Sequence, residues 1–448
     1  MFTKHTLLQG AAILTAAGLV SRLMGFFFRI FLSHAFGEES VGLYQLIFPV
    51  YALCLSVSTA GLQTAVSRMT AEKVSQGQKE AAGNVLRIAL CLTLILSLAE
   101  VLLIQQNAAR IAETFLGDPR CAGLLVIISY ALPCAAVHSC ICGYSFGIQR
   151  TEVPAASQLI EQTARILFVV LLFLFIKNTG HVPSIKLAAA GIAAGEFASA
   201  VFSSKMLSAR RPFGKLPSLS AISGDTRELL SLSVPLTANR AAVTLLQSVE
   251  AASIPACLRL YGLDGSAALS TYGVLTGMAL PCILFPSAIT NSVGTVLLPA
   301  VSSAQAAGDR TAMARLLKKA AGSCLFLGLS CCLFFLFFGN LLGTVLFHSS
   351  TAGKFILTLA WICPFLYTNT ALMSAINGLG KTLFTFLINM TGLLVRISGV
   401  FLAIPRFGIQ GYLWGLLASQ FVVTGLAATV LLAAARPSRP RHSPGPRV

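Results

Sequence analysis

The chain has 448 residues, of which 56% are hydrophobic and only 10% charged, with a mean hydropathy of +0.80. A soluble protein of this length would form roughly three domains and carry about one charged residue in four, so a water-soluble enzyme is excluded. Lys and Arg number 32 against 15 Asp and Glu, a formal net charge of +17; with no basic stretch interleaved with aromatics and no zinc-ligand spacing, that excess points to an anionic membrane surface and not to nucleic acid.

A bilayer core of about 30 Å needs about 20 helical residues, and twelve apolar runs of that size follow one another. The first, 7–32, is too long for a signal peptide and contains Arg22, so it reads as a retained helix. Arg22 and Arg29 stand two turns apart, which sets both on one face about 10 Å from each other along the axis. Runs two and three are 41–66 and 84–106, the latter with Glu100. The fourth, 121–147, carries Pro133. The fifth, 154–176, has Glu161 and Arg165 at i and i+4 with the acid first, the order that favours a self-satisfied pair. The sixth, 186–207, holds Glu196.

Residues 209–227 are predicted to be a cytoplasmic linker. The seventh run, 228–256, presents Arg240 and Gln247 on one face, with Asn239 adjacent and Glu250 three residues beyond Gln247. Runs 267–298, 316–339 and 354–378 follow, then 383–404 with Arg396, and 409–434. The Pro-rich basic stretch 435–448 is predicted to be a disordered cytoplasmic tail. Pro49, Pro133, Pro235, Pro255, Pro281, Pro286 and Pro364 fall inside these runs and are expected to kink them.

With both termini inside, 20 basic residues lie in cytoplasmic segments and seven in the opposite loops, which satisfies the positive-inside rule. A shift of 231 residues aligns Gly77 with Gly308, Arg87 with Lys318, Pro133 with Pro364, Arg150-Thr151 with Lys381-Thr382 and Arg165-Ile166 with Arg396-Ile397. Earlier in each half, Ala65-Val66-Ser67 meets Ala300-Val301-Ser302 at 235. A unit of six helices is even, so its two copies insert in the same orientation. The fold class is therefore all-α: a polytopic membrane protein with an N-terminal bundle, 1–208, and a C-terminal bundle, 228–434, around a central cleft.

Nine ionisable residues remain inside the runs: Arg22, Arg29, Arg165, Arg240, Arg396, Glu100, Glu161, Glu196 and Glu250. Each costs about 2.5–3.5 kcal/mol to insert, so each should face a partner or a wet cavity. Two like charges on one face, Arg22 and Arg29, need water, a carboxylate from another helix or an anionic ligand. Arg240 reads as cavity-facing, with a link to Glu250 or Glu161 as the alternative. Arg165 and Arg396 are candidates for the cleft or for inter-helix pairing. Glu100, Glu161, Glu196 and Glu250 are candidates for ion coupling, with Na+ or H+, or for charge pairing. No residues are assigned to catalysis, to a metal or to a cofactor: the histidines are dispersed, no phosphate-binding loop is present, and the twelve cysteines match no metal or redox spacing. A cleft rich in Arg favours phosphate-bearing cargo, whose oxygens match the guanidinium fork.

The segment Leu19-Val20-Ser21-Arg22-Leu23-Met24-Gly25-Phe26-Phe27-Phe28-Arg29, with Gly42-Leu43-Tyr44-Gln45, Phe48-Pro49 and Thr59-Ala60-Gly61, resembles the opening of the stage V sporulation protein B group. That group belongs to the polysaccharide-biosynthesis flippases of the multidrug/oligosaccharidyl-lipid/polysaccharide exporter superfamily, MATE-like in fold and kin to the lipid II flippases. The likeness continues through Gln158 to Arg165, Tyr272 to Ala279 with Phe285-Pro286-Ser287, and Asn377 to Lys381. It implies a V-shaped protein of a bacterial plasma membrane that moves an undecaprenyl-pyrophosphate-linked saccharide from the inner to the outer leaflet. It also implies that Arg22, Arg29 and Arg240 meet the pyrophosphate. Membrane lipid and a lipid-linked anionic saccharide are then the partners. The rival is a sodium- or proton-coupled cation antiporter of the same fold, and a third reading is a scaffold recruiting cell-wall synthesis enzymes.

Overall fold

The computed structural model describes residues 4–209 and 219–435, whose regular structure is entirely helical. The predicted tail beyond residue 435 and residues 210–218 of the predicted linker lie outside the described residues, whereas 219–227, also read as linker, are helical and begin a long rod. The helical segments join into twelve rods. The first run, Lys4–Leu46, breaks at Gly37, where φ is 79° and ψ is 171°, a conformation that suits a residue without Cβ. Its two sides are α1 (4–36) and the head of α2 (38–75). There follow α3 (Lys79–Leu116), α4 (Cys121–Gly147), α5 (Glu152–Asn178), α6 (Lys186–Ser208) and α7 (Leu219–Leu260). The last five are α8 (265–306), α9 (Arg310–Phe347), α10 (350–378), α11 (Thr382–Phe407) and α12 (Ile409–Ala435). Among the described residues ten stretches are long and apolar enough to cross a membrane, eleven with the bent α10 counted as one; the first, Ala12–Ser75, takes in most of α1 and all of α2. The protein is multi-pass and integral to the membrane.

Backbone conformation repeats along the chain. Ten described residues have φ between 51° and 112°, and they form five pairs at corresponding turns: Gly37 with Gly262, Gly77 with Gly308, Gly117 with His348, Gln149 with Gly380, and Gly180 with Gly408. Three pairs keep the 231-residue offset. The same offset relates Tyr130 to Trp361, where α4 and α10 each break, three residues ahead of Pro133 and Pro364; the α10 bend is 54°. Pro235 and Pro255 stay inside continuous helix.

The packing of α2 on α4 and of α8 on α10 corrects one alignment. A Cβ on Gly147 would meet Ser67 O at 2.7 Å and Thr70, whereas one on Gly378 would meet Leu298 O at 2.7 Å and Val301. Ser67 therefore corresponds to Leu298, an offset of 231 and not the 235 that Ala65-Val66-Ser67 suggests. A slip of four residues is one helical turn and leaves the same face inward, so apolar pattern alone does not detect it.

The end that carries the 76–78, 148–151, 307–309 and 379–381 connections is the basic end. At the opposite end one core runs through both halves, from Leu32 and Leu46 to Tyr272, Leu275 and Tyr367. At the basic end there are two. One joins Leu62, Val66, Leu86 and Ile141; the other joins Val301, Cys324, Ala375 and Ile388. The halves α1–α6 and α7–α12 are thus fused at one end and part at the other. Among the described residues α7 bridges the gap: Leu229 is buried in the N-half core, Lys73 Nζ lies 3.3 Å from Asp225 Oδ1, and Gly61 lets α2 approach Ser233 and Thr237.

Candidate functional site between the two halves

Where α1 and α8 part, they leave a cavity of about 500 Å³ lined by Arg22, Gly25, Phe26 and Arg29 from one half and by Thr276, Pro281, Phe285, Ser287 and Asn291 among others from the second. The sequence of α8 accounts for its shape. A turn of π-helix at Val274–Ala279 leaves carbonyls outside the regular ladder, and Arg29 Nη1 donates to one of them, Thr276 O, at 3.2 Å. Beyond Arg29, Leu32, Ser33 and Met278 are buried, and Ser33 Oγ donates to Phe347 O at 3.2 Å, so the cavity is sealed toward the opposite end. Arg22 is exposed and Arg29 half-buried. Among the described residues neither guanidinium has a carboxylate within ion-pair distance, and no acid lines the cavity. Two fixed cations facing a gap inside a membrane protein favour an anionic occupant.

The remaining charges are held differently. In the N half, Arg165 pairs with Glu161 on its own helix and donates to Gln162 Oε1 at 3.5 Å. Glu196 is buried; its Oε1 accepts from Tyr51 at 3.3 Å and its Oε2 lies 3.6 Å from His138 Nδ1. The hydroxyls of Ser157 and Ser199 donate to Pro154 O and Glu196 O, which turns their lone pairs toward His138 Nε2 (2.9 Å) and Nδ1 (3.1 Å). Ligand atoms of His138, Glu161 and Glu196 all fall within 4.8 Å of one another. Glu100 directs both carboxyl oxygens inward beside Ser58, in the π turn Ser56–Ala60 of α2.

In the C half, Glu250 Oε2 lies 3.1 Å from Arg396 Nη2, and its Oε1 accepts from Tyr412 at 2.8 Å. Arg396 and Gln247 line a second cavity, of about 480 Å³, enclosed by α7, α10, α11 and α12. The two repeat-related arginines therefore each meet a carboxylate, Arg165 from its own helix and Arg396 from α7. With Glu161 and Glu250 so engaged, Arg240 carries no ion pair among the described residues; it and Asn239 are exposed on α7 and line neither cavity. The structure brings together Arg22 with Arg29, Glu161 with Arg165 and Glu196, and Gln247 with Arg396 and Glu250.

Sequence reasoning missed several members of these networks: His138, Tyr51, Tyr412, Asn369, Gln420 and Asn389. One signal was present for two of them. His138 and Asn369 stand 231 residues apart, at corresponding positions of α4 and α10, and each is the hub of its half's polar network. A scan for paired polar residues at the repeat offset would have selected both.

Residues 7–305 match the family described as polysaccharide biosynthesis protein. The chain is 32% identical over 450 residues to stage V sporulation protein B of Bacillus subtilis (strain 168), covering 97% of this chain and 84% of that protein. In three dimensions it is similar to the lipid II flippase MurJ in its inward closed conformation, with a TM-score of 0.73 at 15% identity over 94% of this chain and 87% of that one. It is also similar to an inward-facing multidrug resistance MATE family transporter of the MOP superfamily, with a TM-score of 0.68 at 16% identity over 93% and 95% of the two chains. At these identities the solved structures speak to the fold alone, the two-bundle arrangement expected from the repeat.

Proposed function

The chain belongs to the polysaccharide biosynthesis protein family, and from that premise we propose that it is a flippase carrying a polyprenyl-pyrophosphate-linked saccharide, of the kind used to build peptidoglycan or another envelope polysaccharide, from the inner to the outer leaflet of a bacterial plasma membrane. The observation that supports this most is the α1/α8 cavity, where Arg22 and Arg29 face a gap between the halves with no acid to neutralise them. A pyrophosphate supplies two adjacent anionic groups for two arginines borne two helical turns apart on one face, whose long side chains can converge on it, and bidentate charge-assisted hydrogen bonds strengthen as water is displaced.

The excess of basic residues supports a cytoplasmic position for the basic end and both termini. The cleft between the separate cores then opens inward, where a lipid-linked precursor made in the cytoplasm would be met. Apolar side chains flank the α1/α8 side, with Leu23 and Phe27 on α1 and Ile289 and Val296 on α8 all exposed, so a polyprenyl tail can stay in hydrocarbon while its head group sits in the cavity. Release to the other leaflet requires the shared core to open. The contacts that would give way include the hydrogen bond from Arg259 Nη2 to Gly117 O, at 2.9 Å, and the approach of His34 to His348, at 2.7 Å. The charge network of His138, Glu161, Glu196 and Arg165 is the proposed coupling point for H+ or Na+. The rival antiporter reading places a cation against Arg22 and Arg29, which Coulomb repulsion disfavours.

The test is reconstitution into sealed vesicles. Lipid-linked saccharide loaded on one side should become accessible to a membrane-impermeant reagent on the other only when the protein is present. Gradient-driven efflux of a cationic dye without movement of the lipid would replace this reading by the antiporter.

A further inference from the structure

The C-half cavity differs in kind from the one holding Arg22 and Arg29. Its one guanidinium among the described residues, Arg396, is offset by Glu250, and both oxygens of that carboxylate are engaged, one by Arg396 and one by Tyr412. The rest of its polarity is amide. Asn369 Nδ2 donates to Gln420 Oε1 at 2.9 Å, and Asn369 Oδ1 accepts from Thr424 at 2.8 Å. This arrangement fixes the Gln420 side chain by its oxygen and leaves its two N–H groups without a partner among the described residues. The amides of Gln247 and Asn389 are exposed on the cavity wall and carry no hydrogen bond among the described residues. Phe386 adds an apolar ring to the same wall.

Free amide donors and acceptors around a charge-balanced, partly aromatic cavity do not suit a bare ion or a phosphate. They suit a ligand with many neutral donor and acceptor groups and an apolar ring face, because a site built to hydrogen-bond hydroxyls discriminates against analogues that lack them. The volume, about 480 Å³, lies within the range of about 300–1,000 Å³ typical of small-molecule sites. The two cavities are also neighbours: Asn291 lines the first, and one turn further along α8 Gly294 packs against Thr370, which lines the second.

We propose that the C-half cavity is a saccharide subsite, which takes uncharged, hydroxyl-rich sugar units of the cargo through Gln247, Asn389 and Gln420 while Arg22 and Arg29 hold the pyrophosphate. This rests on the flippase reading and adds selectivity for the head group. In membrane nanodiscs, binding is measured for two probes: a polyprenyl pyrophosphate bearing a neutral disaccharide, and the same lipid without sugar. The wild type should bind the sugar-bearing probe at least about tenfold more tightly. Asn389→Leu and Phe386→Ala should each reduce that preference toward parity and leave affinity for the sugar-free lipid unchanged, which also shows that the variants are folded. Equal binding of both probes by the wild type, or an undiminished preference in both variants, overturns the subsite and leaves the flippase reading standing. Binding of neither probe by the wild type overturns the flippase reading and the subsite with it.

Discussion

Arg396 reaches from α11 to Glu250 on α7 with its Nη2 3.1 Å from Oε2, and so closes the C half around a neutral pair while Arg22 and Arg29 stay unpaired between the halves. Removing one member of such a pair leaves the other charge uncompensated in a low-dielectric setting, at a cost of about 3–5 kcal/mol when both are fully buried. Arg396 is partly exposed to its cavity, so Glu250→Gln is expected to cost about 3 kcal/mol, seen as earlier thermal unfolding in detergent. The double change Glu250→Leu with Arg396→Met removes both charges and should recover most of that loss.

At the basic end, Lys73 on α2 and Asp225 on α7 tie the halves together at 3.3 Å. Lys73→Asp alone should loosen this contact, and combining it with Asp225→Lys should restore it. A partly exposed ion pair contributes about 0–1 kcal/mol, so the flipping rate should change by no more than about fivefold and return toward wild type in the swapped double variant. Failure of the swap to restore the rate would remove the pair from the gating contacts.

Gly61 tests how closely α2 and α7 must approach. A Cβ there would stand 2.1 Å from Thr237 Oγ1 and 2.4 Å from Ser233 O, and a backbone carbonyl cannot turn aside as a side chain can. Gly61→Val should push α7 from α2 and destabilise the protein by about 1–3 kcal/mol. Gly18→Ala, at a position with nothing within 4 Å, should be nearly silent in the same thermal assay.

The architecture was readable because its causes are local. Apolar runs of membrane length give the rods, and Gly77, Gly308, Pro133 and Pro364 mark turns and breaks that recur at one spacing. Charge partners were readable only where helical geometry fixes them. Glu161 and Arg165 are four residues apart on one helix and do pair, whereas Glu250 and Arg396 meet because α7 packs beside α11. No periodicity encodes that neighbour. The freedom of Arg240 follows from the same packing, since both acids offered as its partners are engaged elsewhere. The second cavity escaped notice because Asn369, Asn389 and Gln420 are ordinary residues until three helices bring them together.

His138 and Glu196 should decide whether ion binding drives the cycle. Tyr51, His138, Glu161 and Arg165 surround Glu196 from three helices, and among the described residues its Oε2 has no hydrogen-bond donor. Glu196→Gln should preserve folding but make flipping indifferent to an imposed proton or sodium gradient. A gradient response equal to wild type would assign the cluster a purely structural role.

In the proposed cycle Arg22 and Arg29, facing the gap between the halves, hold an anionic lipid head group. Leaflet-specific labelling of lipid-linked precursor in vesicles, with Arg22→Ala, Arg29→Ala and Arg22→Lys inserted to equal levels, tests it most directly. Both alanine variants should abolish outer-leaflet accumulation and Arg22→Lys should retain part of it, because Lys keeps the charge without the bidentate fork. Wild-type accumulation in both alanine variants would show that neither arginine holds the head group.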